Sequence, residues 1–255
     1  MAAARVELEY DGTDFAGWAL QPGLRTVQGE LERVLGVVAR RPVPLVVAGR
    51  TDRGVHAWVQ VASDAGPPVA ASSLNALLPR DIAVLASVRA PEDFDARRDA
   101  VARTYCYRLH TRSARSPFSA RTALHWPYPM DRALLEHCAA LLVGTHDFTA
   151  FTPTETVHVR FDRVITSAAW RPGERGELHF WITGDAFLRN MVRALVGTML
   201  EVAGGRRSAD SFARLLAGAH RREGGHTAPP HGLALARVDY RSRGSAIAAP
   251  TNDRP

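Results

Sequence analysis

The chain has 255 residues, 46% of them hydrophobic and 23% charged, and a formal net charge of +6 in which all 32 cations are arginine. The absence of lysine excludes Schiff-base catalysis, a pyridoxal-phosphate lysine, and the phosphate-binding lysines of P-loop enzymes and protein kinases. No apolar run approaches the roughly 18 residues of a membrane span, and Met1 to Tyr10 alternate charge with apolar residues without a signal-peptide core. Cys106 and Cys138 lack a CxxC partner, which reads as reduced thiols in a cytoplasmic protein. The length suits one large domain or two small ones. An excess of planar guanidinium groups favours an anionic partner, nucleic acid first among them.

In chain order, residues 5–10 alternate strictly and predict a half-buried strand. After a loop with Asp11-Gly12 and Pro22-Gly23, Thr26 is placed to cap a helix carrying Val27, Leu31, Val34, Leu35 and Val38, closed by Pro42 and Pro44. Leu45-Val46-Val47 predicts a short buried strand running into Gly49, and Ala57, Val59 and Val61 mark another. Residues 72–78 read as a short helix ended by Pro79, and 82–88 and 103–109 as strands. The second half repeats this order, with Asp131 capping a helix of Leu134, Leu135, Cys138, Leu141 and Leu142. Strands at 161–170 and 177–183 are joined as a hairpin through Pro172 to Gly176. The strongest helical pattern covers 187–202 and ends at Gly204-Gly205, followed by a helix at 208–217 and a strand at 232–240. The fold class expected is α+β, in two halves (1–100 and 101–240) that meet near 95–105, with a disordered tail at 241–255.

The densest basic stretch lies at that seam. Residues 97–121 hold seven arginines against the single acid Asp99, a net +6 equal to that of the whole chain. Tyr105, Tyr107 and Phe118 interleave with them, a pairing that holds phosphates and stacks unpaired bases. A second notable loop is Ala48-Gly49-Arg50-Thr51-Asp52-Arg53-Gly54-Val55-His56, where glycines bracket a carboxylate set between two arginines after a buried strand. Flanking guanidinium groups favour an ionised Asp52, and loops at strand ends commonly carry catalytic groups. From charge and spacing alone, a catalytic carboxylate and a salt-bridged turn aspartate are equally good readings. Metal binding is not expected, since His137, Cys138, Cys106 and His125 lack paired ligand spacing. Neither a G-x-S-x-G elbow nor a G-x-G-x-x-G fingerprint occurs.

Gly49-Arg50-Thr51-Asp52 followed by Gly54-Val55-His56-Ala57 resembles the catalytic motif of the tRNA pseudouridine synthase A family. The similarity runs from Tyr10-Asp11-Gly12-Thr13, Phe15-Ala16-Gly17-Trp18 and Thr26-Val27-Gln28 through Leu78-Pro79-Arg80-Asp81-Ile82, Phe94-Asp95-Ala96-Arg97 and Tyr105-Cys106-Tyr107. It continues in His146-Asp147-Phe148, Asn190-Met191-Val192-Arg193, Thr227-Ala228-Pro229 and Gly232-Leu233. The resemblance implies a cofactor-free isomerase of uridine at tRNA positions 38–40. Its two halves, each a mostly antiparallel sheet with helices on one face, would enclose a central basic cleft, and the enzyme would act as a homodimer. It implies Asp52 as catalytic aspartate, Tyr105 as the aromatic against the target base, Arg193 as partner of the aspartate, and Arg50 as a group that moves or replaces the target nucleotide. His56 is expected to orient the loop by a hydrogen bond. Arg189 and Arg193, four apart, are expected on one side of the 187–202 helix.

The chain departs from that pattern at Arg53, where a small residue is usual, at Ala19-Leu20 after Trp18, and around Thr156 to Arg160. Arg53 motivates a rival reading, a tRNA-binding chaperone of the same family that no longer turns over. A single-carboxylate hydrolase is disfavoured because no second carboxylate accompanies Asp52.

Overall fold

A computed structural model describes residues 3–156 and 159–241. The tail expected at 241–255 therefore falls, apart from Arg241, outside the described residues, as do Val157 and His158 of the divergent Thr156–Arg160 stretch.

The protein is α+β, built on one ten-stranded, mostly antiparallel sheet. Strand β1 (Ala3–Tyr10) leads through a loop to helix α1 (Val27–Ala39), then to β2 (Val46–Val47), β3 (His56–Asp64), helix α2 (Ala71–Asn75) and β4 (Ile82–Ala90). The chain crosses to β5 (Ala100–His110) and β6 (Leu124–His125), helix α3 (Arg132–Leu141), β7 (Gly144–Asp147) and the hairpin of β8 (Asp162–Pro172) with β9 (Glu177–Gly184). Helices α4 (Met191–Ala203) and α5 (Ala209–Leu215) and strand β10 (Leu233–Tyr240) complete it. The strand order is β4-β1-β3-β10-β5-β9-β8-β7.

Local chemistry accounts for most of these elements. Thr26, Asp131 and Ser208 each have extended backbone and accept from amides of the first helical turn, capping α1, α3 and α5. Helix α1 turns Val27, Leu31, Val34 and Leu35 inward, and β1 and β9 alternate buried with half-buried positions. All join one continuous core that also takes in Tyr105, Phe180, Leu195 and Phe212.

Three expectations need correction. Helix α2 ends at Asn75 rather than at 78, continuing only as irregular turns to Leu78 (Leu78 N–H to Leu74 O, 2.9 Å), and the Asn75 side chain ties its end to the Val84 backbone of β4 (2.7 and 2.9 Å). Helix α4 begins at Met191, not Phe187, because Asn190 takes a left-handed conformation (φ 60°) that a right-handed helix cannot include. Arg189 thus lies before the helix and shares no helical face with Arg193. The sheet itself runs without a break from β4 to β7. Within it the last strand, β10, pairs antiparallel with β5 and parallel with β3 through Ala234 opposite His56 and Leu235 opposite Ala57. The short strands β6 and β7 went unpredicted because neither segment has an alternating pattern long enough to read.

Candidate active site

The Asp52 loop leaves β2 and re-enters the sheet at β3. The Asp52 carbonyl accepts from Val55 N–H (3.1 Å), closing a four-residue turn whose third position is Gly54 at φ 76°. Only glycine adopts that geometry without strain, which accounts for the second bracketing glycine of the motif. Phe15 O accepts from the Gly54 amide (3.4 Å) and Thr51 O from the Trp18 amide (3.0 Å), so the loop is fastened to the segment after β1 by main chain. The approach is close. A Cβ on Gly12 would lie 2.0 Å from Val55 O, and one on Gly17 would lie 2.9 Å from Thr51 O.

His56 holds the same junction. Its Nδ1 lies 3.0 Å from the Gly12 amide and 3.2 Å from Asp11 Oδ1, and its Nε2 lies 3.1 Å from His231 O. These contacts make His56 an orienting group joining three loops, as the sequence suggested. Beneath the loop, Thr51 Oγ1 and Tyr10 OH share a 2.7 Å hydrogen bond, and Gln60 Nε2 donates to both Tyr10 OH (3.3 Å) and Gly49 O (2.8 Å). Burial pushes the Tyr10 phenol up to about 12, so it stays protonated.

The second half of the chain supplies the facing wall. Tyr105 of β5 is buried, meets Phe187 edge-on at 5.0 Å between ring centroids, and directs its hydroxyl toward Gly49. Desolvation, with Tyr10 and the Asp52 carboxylate nearby, raises its phenol well above the ordinary tyrosine range. Asp52 is half-buried, and its Oδ2 accepts from the Asn190 amide at 3.3 Å. Asn190 immediately precedes α4, so the carboxylate also meets the positive end of that helix. Arg193, one turn on, donates from Nε to Ala228 O (2.7 Å) and from Nη1 to Asn190 Oδ1 (3.0 Å). Burial lowers the Arg193 pKa and the Asp52 charge works against that lowering. Among the described residues no direct ion pair joins Asp52 to Arg193; Asn190 stands between them.

Arg50 and Arg53 are both exposed, and neither has a hydrogen bond or ion pair among the described residues. Arg53 occupies the second position of the turn and is exposed. The arginine-rich stretch divides. Arg103 is 8% exposed, and donates to the carbonyls of Ala48, Arg97, Ala100 and Asp185. Arg108 pairs with Glu177, Arg98 with Asp99, and Arg121 with Asp14 (2.8 Å). Arg97, Arg112 and Arg115 are exposed without an acidic partner, and Phe118 is 93% exposed. Tyr107 is fully buried, donating to Pro229 O at 2.8 Å, so it is a strut rather than a stacking surface.

The structural roles of Arg103 and Asn190 escaped the sequence reading. Arg103 looked like one more surface cation, and the signal for Asn190 was only an asparagine, a residue tolerant of positive φ, before a helical run. Both cysteines are buried and unpaired, and burial pushes Cys106 up to about 12 and Cys138 to about 11, so neither offers a thiolate. Among the described residues no group of three His, Cys, Asp or Glu side chains is arranged to hold a metal ion, and no helix is long and apolar enough to cross a membrane.

The arrangement is a single carboxylate, a buried aromatic ring and a desolvated guanidinium, brought together from the β2–β3 loop, β5 and α4, with two exposed arginines flanking the carboxylate in its loop. Residues 138–241 match the family described as tRNA pseudouridine synthase. The chain is similar to tRNA pseudouridine synthase A of Halalkalibacterium halodurans, 42% identical over 238 residues and covering 89% of each chain. It is likewise similar to that of Shouchella clausii (42% over 246 residues, 94% of each) and of Myxococcus xanthus (41% over 248 residues, 94% of this chain and 93% of the relative). With identity at this level along nearly the whole of both sequences, the chain belongs to the tRNA pseudouridine synthase A family.

Proposed function

We propose that this protein isomerises uridine to pseudouridine in the anticodon stem-loop of tRNA, at positions 38–40, with Asp52 as the catalytic group. The observation that carries this reading is the meeting at Asp52 of a loop from the first half and groups from the second. Tyr105 supplies the aromatic ring to pack against the base, and Arg193 supplies a positive field. In the reaction the N-glycosidic bond breaks, the uracil turns, and a carbon–carbon bond to C1′ forms, with no net gain or loss of atoms or electrons. One carboxylate in a held, partly dry pocket suffices for that balance, and no cofactor is called for. A carboxylate can serve it by attacking the base, by attacking C1′, or by removing a ribose proton.

Removing the target base from its stack costs a few kcal/mol, recovered from phosphate and stacking contacts. Arg50, unpaired beside Asp52, is suited to occupy or shift the vacated position. Arg97, Arg112 and Arg115, exposed and without an acidic partner, are suited to phosphates in a basic cleft between halves 1–100 and 101–240. We assign the protein to the cytoplasm and to a homodimeric state, as the family resemblance implies.

Incubation with unmodified tRNA followed by pseudouridine mapping tests the proposal. Wild-type protein is expected to modify positions 38–40, and Asp52→Asn to lose activity by about 10³-fold or more. No product from wild type, or full product from Asp52→Asn, would sink it. The rival reading as a chaperone without turnover predicts salt-dependent tRNA binding without product, and Arg53→Ala would then have to restore activity.

A further inference from the structure

The geometry points to Asn190 as a positioning residue that couples Arg193 to Asp52, its backbone amide on the carboxylate and its side-chain carbonyl on the guanidinium. This rests on Asp52 being the catalytic group, and it adds a residue to which that reading gives no role.

Three observations converge on it. An asparagine before a helix ordinarily has extended backbone and caps the first turn, its Oδ1 accepting from an amide two or three residues on. Asn190 does neither: its backbone is left-handed (φ 60°, ψ 0°), and its side chain makes no capping bond. Instead Oδ1 accepts from Arg193 Nη1 at 3.0 Å, while the amide donates to Asp52 Oδ2 at 3.3 Å. The capping bond is thus given up, and a conformation rare outside glycine is adopted, at the residue where the second half of the chain touches the carboxylate.

The remaining contacts leave Asn190 as the adjustable joint. Arg193 is fixed on its other side by Nε to Ala228 O, whose residue returns its own amide to Arg193 O (3.0 Å). The Asn190 carbonyl accepts from Ala194 at 2.9 Å, so its backbone is anchored in α4. The ionisable groups facing Asp52 are Arg193 from α4 and Tyr105 from β5, with Arg50 and Arg53 flanking it in its own loop. Of the groups that meet both Asp52 and Arg193, Asn190 alone hydrogen-bonds to each among the described residues.

Two variants separate coupling from mere support. Asn190→Gly keeps the left-handed backbone and the amide on Asp52 but frees Arg193. Its single-turnover rate on unmodified tRNA should fall about tenfold, with tRNA affinity within about twofold of wild type and an unchanged melting temperature. Asn190→Asp keeps the shape but puts a second carboxylate beside Asp52 and draws the Arg193 charge onto itself. Both effects disfavour negative charge on Asp52, so the acid limb of the rate profile should move to higher pH than in wild type. Wild-type rate in Asn190→Gly, or an unmoved acid limb in Asn190→Asp, overturns the coupling while leaving the proposed function intact. Failure of wild-type protein to form pseudouridine, or activity in Asp52→Asn, overturns that function instead.

Discussion

Asp52 stands on an irregular loop fixed by close backbone approach and by side chains reaching in from neighbouring strands, whereas Tyr105, Asn190 and Arg193 opposite it stand in or beside regular elements. On the loop side main-chain bonds to the segment after β1 are joined by Tyr10, Gln60, His56 and Arg103, and Gly12 and Gly17 are packed so closely that neither has room for a Cβ. Opposite, position follows from the register of β5 and the start of α4, and the contacts are ring against ring and guanidinium against carbonyl. A loop has no periodic structure of its own, so its geometry must be imposed by close approach. A helix or strand already holds its backbone and needs only its side chains placed.

The sharpest way to break this contrast is at Arg103, which belongs to both sides. From β5 it grips Ala48 O just ahead of the Asp52 loop and Asp185 O just after β9. Arg103→Ala leaves four carbonyls short of a donor and should cost about 3 kcal/mol or more in chemical denaturation. A loss under about 1 kcal/mol would mean that the two sides are positioned independently. Next, Gly12→Ala attacks the loop side alone. Its methyl meets the Val55 carbonyl, and a destabilisation of about 2–3 kcal/mol accompanied by lower activity is expected. Normal urea melts for that variant would refute the close-approach account.

Titration offers a milder probe of the second side, where Glu177 of β9 receives Arg108 and His179. Burial would raise its carboxyl, but the His179 hydrogen bond and the Arg108 charge hold it below the ordinary glutamate range. A carboxylate depressed on folding stabilises fully above its unfolded pKa of about 4.3, and that contribution fades as pH falls through the lower folded value. The melting-temperature gap between wild type and Glu177→Gln should therefore be widest above about pH 5 and close toward pH 3. A pH-independent gap contradicts it. Smallest of all in stability is Arg53→Ala, at under about 0.5 kcal/mol, since the Arg53 side chain is exposed and makes no hydrogen bond or ion pair among the described residues. Its effect belongs to tRNA binding, where the slope of log Kd against log salt should shrink by somewhat less than one. An unchanged slope would make Arg53 a bystander.

Much of the fold was legible because its causes are local. Thr26, Asp131 and Ser208 cap helices as their side chains suggested, and the alternation of β1 and β9 marks which residues face the core. The Gly49–Ala57 motif, with its turn glycine and orienting histidine, could be read for the same reason: turn chemistry acts over four residues. The start of α4 could not be, since a helical hydrophobic pattern runs straight through Phe187 and Leu188, and only contact with Asp52 and Arg193 accounts for the left-handed Asn190.

By itself, then, the sequence determined most of the elements, the family resemblance and a short list of candidate groups, because propensity, capping and motif spacing are properties of neighbouring residues. Only the tertiary structure decided that β10 lies between β3 and β5, that Arg103 is a strut while Arg53 is free, and that Arg193 reaches Asp52 through Asn190. Each of those depends on which distant segments pack together. An arginine carries the same charge in every case, and burial and neighbours decide whether it is spent on the fold or left for a ligand.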